Sequence, residues 1–390
     1  MIRPRNPTLL PAAPLVPPAA RSRAAQGLAV AAAQGRFMLQ TCKDCGRANY
    51  PPREACGACL GPRLVWRDVP PDGVVSAETN VRISIDPYFR AHTPWRVGSV
   101  RLDCGPDVIA HLHSDLGAGA RTRLALKLDK AGQAVMFALP ATDTPDMTDD
   151  RKLRETTCDP RGRLALVTDG RTAFGQAVTR ALLAAGAEVL LGIAAPWHPF
   201  PGQNALPGMP VTLDLTDSRG ALSSAAAIAG RVDIIVNTAG DFRPGHAGLD
   251  EARVAMEATY FAAARLAQYF LPALHARAGE RASAWVNVVS IAGLVPDPAY
   301  PAVSAAHAAL LAQVQTLRPQ LRPLKLINAF VGPLDDQWHQ ALPPPKVTPA
   351  QLGAAIVAAL RQGLEEIAVG DSARHTLARW HDNASITLRQ

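Results

Sequence analysis

Hydrophobic and polar positions change rhythm along the chain. From Phe37 to about Trp66 the sequence is short-stepped, rich in turn residues and dotted with cysteine. From Arg67 to about Pro140 come β-branched runs at Val74–Ile85, Trp95–Leu102, Val108–His113, Arg123–Leu128 and Ala134–Leu139. Turn signals at Pro71-Asp72-Gly73, Gly117–Gly119 and Ala131-Gly132 punctuate them, which predicts a small antiparallel β-barrel. Residues 141–161 are polar and charged and read as a linker. From Arg163 the pattern becomes strand, helix, strand. Short apolar runs at Leu164–Thr168, Glu188–Gly192, Val211–Asp214, Asp233–Asn237, Ala284–Val289 and Leu324–Phe330 alternate with helical stretches. That alternation predicts an α/β, Rossmann-type, doubly wound parallel sheet covered on both faces. Ahead of all this, residues 1–36 are rich in Pro and Ala. Pro11, Pro14, Pro17 and Pro18 break any apolar stretch a secretory signal would need, so an extended arm is expected, leading into a helix near Ala19–Gln34.

Composition agrees with several packed domains. Of 390 residues, 48% are hydrophobic and 19% charged, which excludes wholesale disorder. No apolar run approaches the roughly 20 residues of a membrane span, so a soluble protein is expected. The net charge of +7 is modest and forms no Lys/Arg block of five or more. It suits an acidic ligand such as a nucleotide or coenzyme A better than nucleic acid. Six cysteines, four in paired spacing, point to a reducing cytoplasm.

The paired cysteines are Cys42-Lys43-Asp44-Cys45 and Cys56-Gly57-Ala58-Cys59, two CxxC knuckles ten residues apart. Four thiolates close a tetrahedral shell around Zn²⁺ and leave no position for water or substrate, so the expected zinc is structural. Gly46 and Gly57 follow cysteines where tight turns need an unhindered backbone. Cys104 and Cys158 lack partners at metal spacing and read as buried or incidental thiols. His111 and His113 alternate on a strand and are expected to share an ordinary polar face.

With Gly35–Cys42, Pro51-Pro52-Arg53 and Leu64-Val65-Trp66, residues 20–140 resemble the acyl-CoA-associated OB-fold proteins that carry an N-terminal rubredoxin-like zinc ribbon. The resemblance divides the region into a ribbon at 37–66 and an OB-fold at 67–140. It implies docking on a thiolase, a related acyltransferase or a thiolase-like aldolase, with a coenzyme A thioester organised jointly with that partner.

Residues 162–380 are similar to the short-chain dehydrogenase/reductase family through Leu164–Thr168, Asp214, Asn237-Thr238-Ala239-Gly240, Val286–Ser290 and Ile367–Gly370. The domain is taken as 162–390. The family's phosphate turn, TGxxxGxG, reads here Thr168-Asp169-Gly170-Arg171-Thr172-Ala173-Phe174-Gly175. Asp169 and Ala173 replace two glycines, and Asp169 places a carboxylate where two phosphates would lie. The second strand runs on into Ile193-Ala194-Ala195-Pro196-Trp197, with neither a ribose-binding acid nor a basic residue for a 2′-phosphate. Asp214, Asn237 and Gly240 are retained, and each also supports local structure. The family's chemistry needs Tyr as acid/base, Lys to lower its pKa and Ser to orient a carbonyl. Ser290 fits, whereas Val303 and His307 stand at the Tyr and Lys positions. Thr259 takes the position of the family's relay Asn, Val331-Gly332 that of its PG turn, and Asp336 that of a Thr. A register slip onto Tyr300 fails because Ser304, four residues on, is no Lys.

These substitutions predict a domain without dehydrogenase chemistry and with no NAD(P) expected. The chain then reads as an accessory subunit. Its ribbon and barrel hold a thiolase, while its third segment pairs with itself or with an active dehydrogenase through the Arg253–Ala276 and Ser304–Leu317 helices. The setting would be degradation of aromatic, steroid or related acyl-CoA. One alternative is an active NAD(P)-dependent reductase of 3-hydroxyacyl- or 3-oxoacyl-CoA, with His307 as a lone base. Another is a single-stranded nucleic-acid binder using Tyr88, Phe89 and Trp95 among Arg82, Arg90 and Arg96.

Overall fold

A computed structural model describes residues 14–19, 22–144, 147–194, 206–245 and 248–387. Most of the expected arm, and Ala195-Pro196-Trp197, lie outside the described residues. The chain divides into two units, Met1–Thr156 and Thr157–Gln390. Among the described residues, no helix is long and apolar enough to cross a membrane.

In the first unit, α1 (Gln26–Ala33) starts later than the sequence predicts. Strands β1 (Met38–Cys42), β2 (Ala48–Asn49) and β3 (Leu64–Asp68) form an antiparallel sheet in the order β2-β1-β3. Strands β4 (Asp72–Val81), β5 (Trp95–Leu102), β6 (Asp107–Leu112), β7 (Arg121–Leu128) and β8 (Ala134–Pro140) close a barrel in the order β4-β5-β6-β8-β7. Every pairing in it is antiparallel except β6 with β8, so the expected all-antiparallel barrel has one parallel seam. Alternation works as the sequence implies: Thr122, Leu124, Leu126 and Leu128 of β7 point inward. Their core also takes Leu28, Ala31 and Ala32 from α1 and Leu39 from β1. The cysteine-bearing segment therefore shares the barrel's apolar core.

β4 ends at Val81, short of the predicted Ile85, because a helix begins. Asp86 accepts from the N–H groups of Tyr88 and Phe89 and caps α2 (Pro87–Ala91), with Pro87 at the first helical position. The predicted linker is ordered at its far end. α3 (Arg151–Glu155) is capped by Asp150 and buries Leu153, and Cys158 is fully buried with its N–H on the carbonyl of Leu360.

The second unit contains β9 (Leu164–Val167), α4 (Ala173–Ala184), β10 (Glu188–Ile193), β11 (Met209–Thr212), α5 (Ser218–Ile228), β12 (Ile234–Asn237), α6 (Leu249–Met256), α7 (Ala262–Glu280), β13 (Ala284–Ser290), α8 (Pro301–Leu317), β14 (Lys325–Val331), α9 (Pro349–Gln362), β15 (Glu366–Val369) and α10 (Asp371–Thr387). The sheet is parallel throughout, in the order β11-β10-β9-β12-β13-β14-β15. Strand order reverses between β9 and β12, and the crevice at that switch point is where such sheets bind ligands. One core lies under α4 and α9, the other under α5, α7 and α8. β12 and β14 are buried along their whole length, which explains their unbroken apolar runs. A single π turn (Glu257–Phe261) separates α6 from α7, where the sequence suggests one long helix.

Glu365, the residue just before β15, is buried and paired with both Arg318 and Arg322. Burial alone would raise its pKa. The two guanidiniums outweigh that and hold it below the usual glutamate range. A lowered folded pKa contributes stability above the unfolded value of about 4.3, and that contribution is lost as pH falls through the folded value. Glu365→Gln should cost about 3 kcal/mol at neutral pH. It should also flatten the loss of stability below about pH 4.3. Denaturant titrations of both proteins across this range check the pair.

Candidate functional site

The four predicted cysteines converge. Their sulfurs all lie within 4.8 Å of one another, with Cys42–Cys59 and Cys45–Cys56 each 3.6 Å apart. A tetrahedron with Zn–S of about 2.3 Å has edges of about 3.8 Å, so the donor set fits Zn²⁺. Each knuckle closes with an N–H to the carbonyl of its first cysteine, from Gly46 to Cys42 and from Leu60 to Cys56. Gly46 has φ +73° as its turn requires. In the second knuckle the left-handed residue is Leu60 (φ +62°), so the role expected of Gly57 falls to Leu60. Gly57 instead donates its N–H to Asn49 Oδ1. Backbone N–H groups of Cys59 and Ala58 pull the Cys56 thiol down to about 6, while the neighbouring thiols push Cys59 up. Arg63 braces the first knuckle through Asp44.

At the switch point of the second unit, the strand–turn–helix is intact as backbone. Thr172 caps α4 by accepting from Gly175 N–H. A Cβ on Gly175 would fall inside the carbonyl of Asp169, and one on Gly170 inside Leu191. Thr168 Oγ1 donates to Asn237 Oδ1 and accepts from the N–H groups of Thr238 and Ala239, tying this turn to the loop after β12. Asn237 continues to Asn287. Gly240 allows Phe242, His307 and Thr259 to crowd beside it. Asp214 spends a carboxylate oxygen on the N–H and hydroxyl of Thr216.

Beside the turn lies a cavity of about 590 Å³ whose walls include Asp169, Arg171, Ala173, Phe242, Arg243 and Trp338. Burial raises the pKa of Asp169, against help from Arg171. A second cavity of about 290 Å³ is lined by Ser290, Tyr300 and His339, and Phe242 borders both.

At the position of the family's tyrosine, Val303 is buried. His307, at the lysine position, is fully buried and has both nitrogens committed. Nδ1 accepts from Ser290 N–H at 3.3 Å, and Nε2 donates to the Asp241 carbonyl at 3.1 Å. Burial lowers its pKa to about 4, so it is a neutral ring at working pH. Phe242 packs on it at 4.7 Å between centroids. Thr259, inside the π turn, accepts from Asp241 N–H, so the loop after β12 is held at Asp241 as well as at Thr238 and Ala239. A further contact is made by His339, which is held by Asp336 and donates to the Phe242 carbonyl. Arg243 lies over Trp338 at 5.6 Å. Phe242, Arg243, Trp338 and His339 escape sequence reasoning. Their only signal is Asp336 and His339 three residues apart, which has no meaning until β12 and β14 are neighbours of β13.

The remaining candidates fall elsewhere. Cys104 is partly exposed, and Cys158 is buried with its thiol pushed up to about 11. His111 and His113 do not share a strand face, because β6 ends at Leu112. His111 packs on Phe137, and His113 is buried beside Asp115. Tyr88 is buried and stacks on His92 at 4.2 Å, while Phe89 and Trp95 pack on each other at 5.3 Å.

Three families match successive parts of the chain. Residues 29–65 match "ChsH2, rubredoxin-like zinc ribbon domain", 66–127 match "ChsH2, C-terminal OB-fold domain", and 163–333 match "short chain dehydrogenase". A short-chain dehydrogenase from Burkholderia cenocepacia J2315, solved in complex with NADP, is 26% identical, covering 59% of this chain and 98% of that one, with a TM-score of 0.51. One from Streptomyces avermitilis is 25% identical over 58% and 94%, with a TM-score of 0.47. One from Burkholderia phymatum, in complex with NAD, shares the fold at 15% identity over 58% and 96%, with a TM-score of 0.50. No curated protein matches the chain.

Two predictions arise here. Metal analysis of the purified chain should find about one zinc per molecule, and Cys45→Ser should remove most of it. In the second unit, a histidine whose folded pKa is depressed binds protons more readily when unfolded. Stability should therefore fall as pH drops from about 6.5 towards 4, by up to roughly 3 kcal/mol. His307→Asn should lose that part of the pH dependence in equilibrium unfolding.

Proposed function

We propose that this chain, in which a ChsH2-type zinc ribbon and OB-fold are joined to a short-chain dehydrogenase domain, is an accessory subunit of a thiolase-type acyl-CoA complex. The ribbon and barrel dock on the thiolase and share its coenzyme A thioester. The second unit pairs with a copy of itself or with an active dehydrogenase, in cytoplasmic breakdown of aromatic, steroid or related acyl-CoA. Leu249, Val254 and Phe261, exposed apolar residues on α6 and the π turn, give that pairing an apolar face.

The observation that carries the non-catalytic reading is the state of His307. A buried imidazole with both nitrogens spent, next to a buried valine, offers the cleft no acid or base. The residues also fit a dinucleotide poorly. Asp169 sets a carboxylate against the pyrophosphate, Ala173 adds a side chain to the turn, and Phe242 lies against the position from which the family's lysine reaches the ribose. A second reading, an active reductase, is favoured by the roomy cavity and by the NADP in the Burkholderia cenocepacia relative.

Titration with NAD⁺, NADH, NADP⁺ and NADPH, followed by heat and thermal shift, separates the two. No response at millimolar concentration is expected, together with co-purification of the chain with a thiolase encoded nearby. Micromolar binding of any of the four would overturn the non-catalytic reading, and failure to retain any thiolase would overturn the accessory one.

A further inference from the structure

The larger cavity, beside the turn at the start of α4, has a charge pattern that the accessory reading leaves unexplained. Its walls carry Asp169, Arg171, Asp241, Arg243 and Asp336. Two of the three carboxylates are spent. Asp241 is paired with Arg243 through both oxygens, at 2.8 and 2.9 Å, and Asp336 holds the ring of His339 at 2.6 Å. Asp169 is the exception. Its Oδ1 accepts from the backbone N–H of Arg171 at 3.4 Å, and among the described residues no side chain pairs with it. Burial raises its pKa, and the N–H groups of Arg171 and Thr172 and the Arg171 charge offset only part of that. A partly desolvated carboxylate without a counter-charge carries a cost that a bound cation removes.

This carboxylate is also held in place. The Asp169 N–H donates to Thr238 Oγ1 at 3.3 Å, and its carbonyl accepts from Thr172 Oγ1 at 3.2 Å. Gly175 packs on the same carbonyl with no room for a Cβ. The side chain thus leaves a backbone fixed on three sides, where the N–H groups of the turn would otherwise meet an anion. The chain supplies that anion itself. An incoming anion faces a like charge there, whereas an ammonium group completes an ion pair. The remaining walls set the body of the guest. A volume of about 590 Å³ lies within the range of about 300–1,000 Å³ for small-molecule pockets and admits two fused rings. Phe174, Phe242, Val288 and Leu334 make the walls apolar, and Trp338 already draws the Arg243 guanidinium over its ring.

We propose that this cavity binds an organic cation, a primary amine on an aromatic or alicyclic body, with its ammonium group on the Asp169 carboxylate. No bond is made or broken, and no nucleotide takes part. The inference is independent of the accessory reading.

The test uses the full chain without nucleotide and follows ligand-observed proton NMR of three probes of similar shape: tryptamine, 3-ethylindole and indole-3-propionate. Saturable binding of tryptamine is expected, about tenfold tighter than 3-ethylindole, with the propionate weakest. Asp169→Asn keeps the size of the side chain and should weaken tryptamine binding about tenfold while leaving 3-ethylindole unchanged. Trp338→Ala, at a half-exposed position, carries the test if that variant does not fold, and should weaken tryptamine and 3-ethylindole alike. Absence of tryptamine binding, equal affinity for tryptamine and 3-ethylindole, tighter binding of the propionate, or indifference of tryptamine to both substitutions would each overturn the proposal. Because no nucleotide or thiolase is present, none of these outcomes bears on the accessory reading.

Discussion

His307 bridges the N–H of Ser290 and the carbonyl of Asp241 from a fully buried position, and the switch-point crevice takes its shape from that bridge. An imidazole at the lysine position cannot reach out to a ligand as a flexible ammonium does. It is short and planar, and here it is satisfied at both ends. With Asp241 held, Phe242 comes to rest on the ring and its carbonyl is set for His339, while Arg243 reaches Trp338. The π turn supports the arrangement from the other side, because Thr259 takes the Asp241 N–H. His307, Thr259 and His339 together thus hold the loop, and Phe242 stands at the border of both cavities.

The fold was legible wherever periodicity or spacing carried it. β5 has the bounds its apolar run predicts, and the four cysteines meet as their spacing requires. What escaped was whatever depends on neighbours distant in sequence. The parallel β6–β8 seam is invisible to alternation, which is the same for either strand direction. β4 stops at Val81 because Asp86 and Pro87 start a helix, a signal masked by the alternating Ile83 and Ile85 just before it. In the site, the lost glycines, tyrosine and lysine could be read one position at a time. Phe242 and His339 could not, since 97 residues separate the partners of their hydrogen bond.

The first unit shows that metal and hydrophobic stabilisation are shared across it. Strand β1 ends on the ligand Cys42, with the other three cysteines in the turns beyond it, and lends Leu39 to the barrel core, while Gly27 of α1 packs against Trp66 of β3. A segment of this size gains little from its own apolar burial. Borrowing the barrel's core leaves the sulfur cluster with the smaller task of fixing two turns.

The glycines of the phosphate turn carry a consequence for how such turns are read. Gly170 and Gly175 are required by packing, against Leu191 and the Asp169 carbonyl, whatever the crevice holds. A glycine in this turn therefore reports on the fit of strand to helix before it reports on a ligand, and only the side chains that face the crevice speak for what it holds.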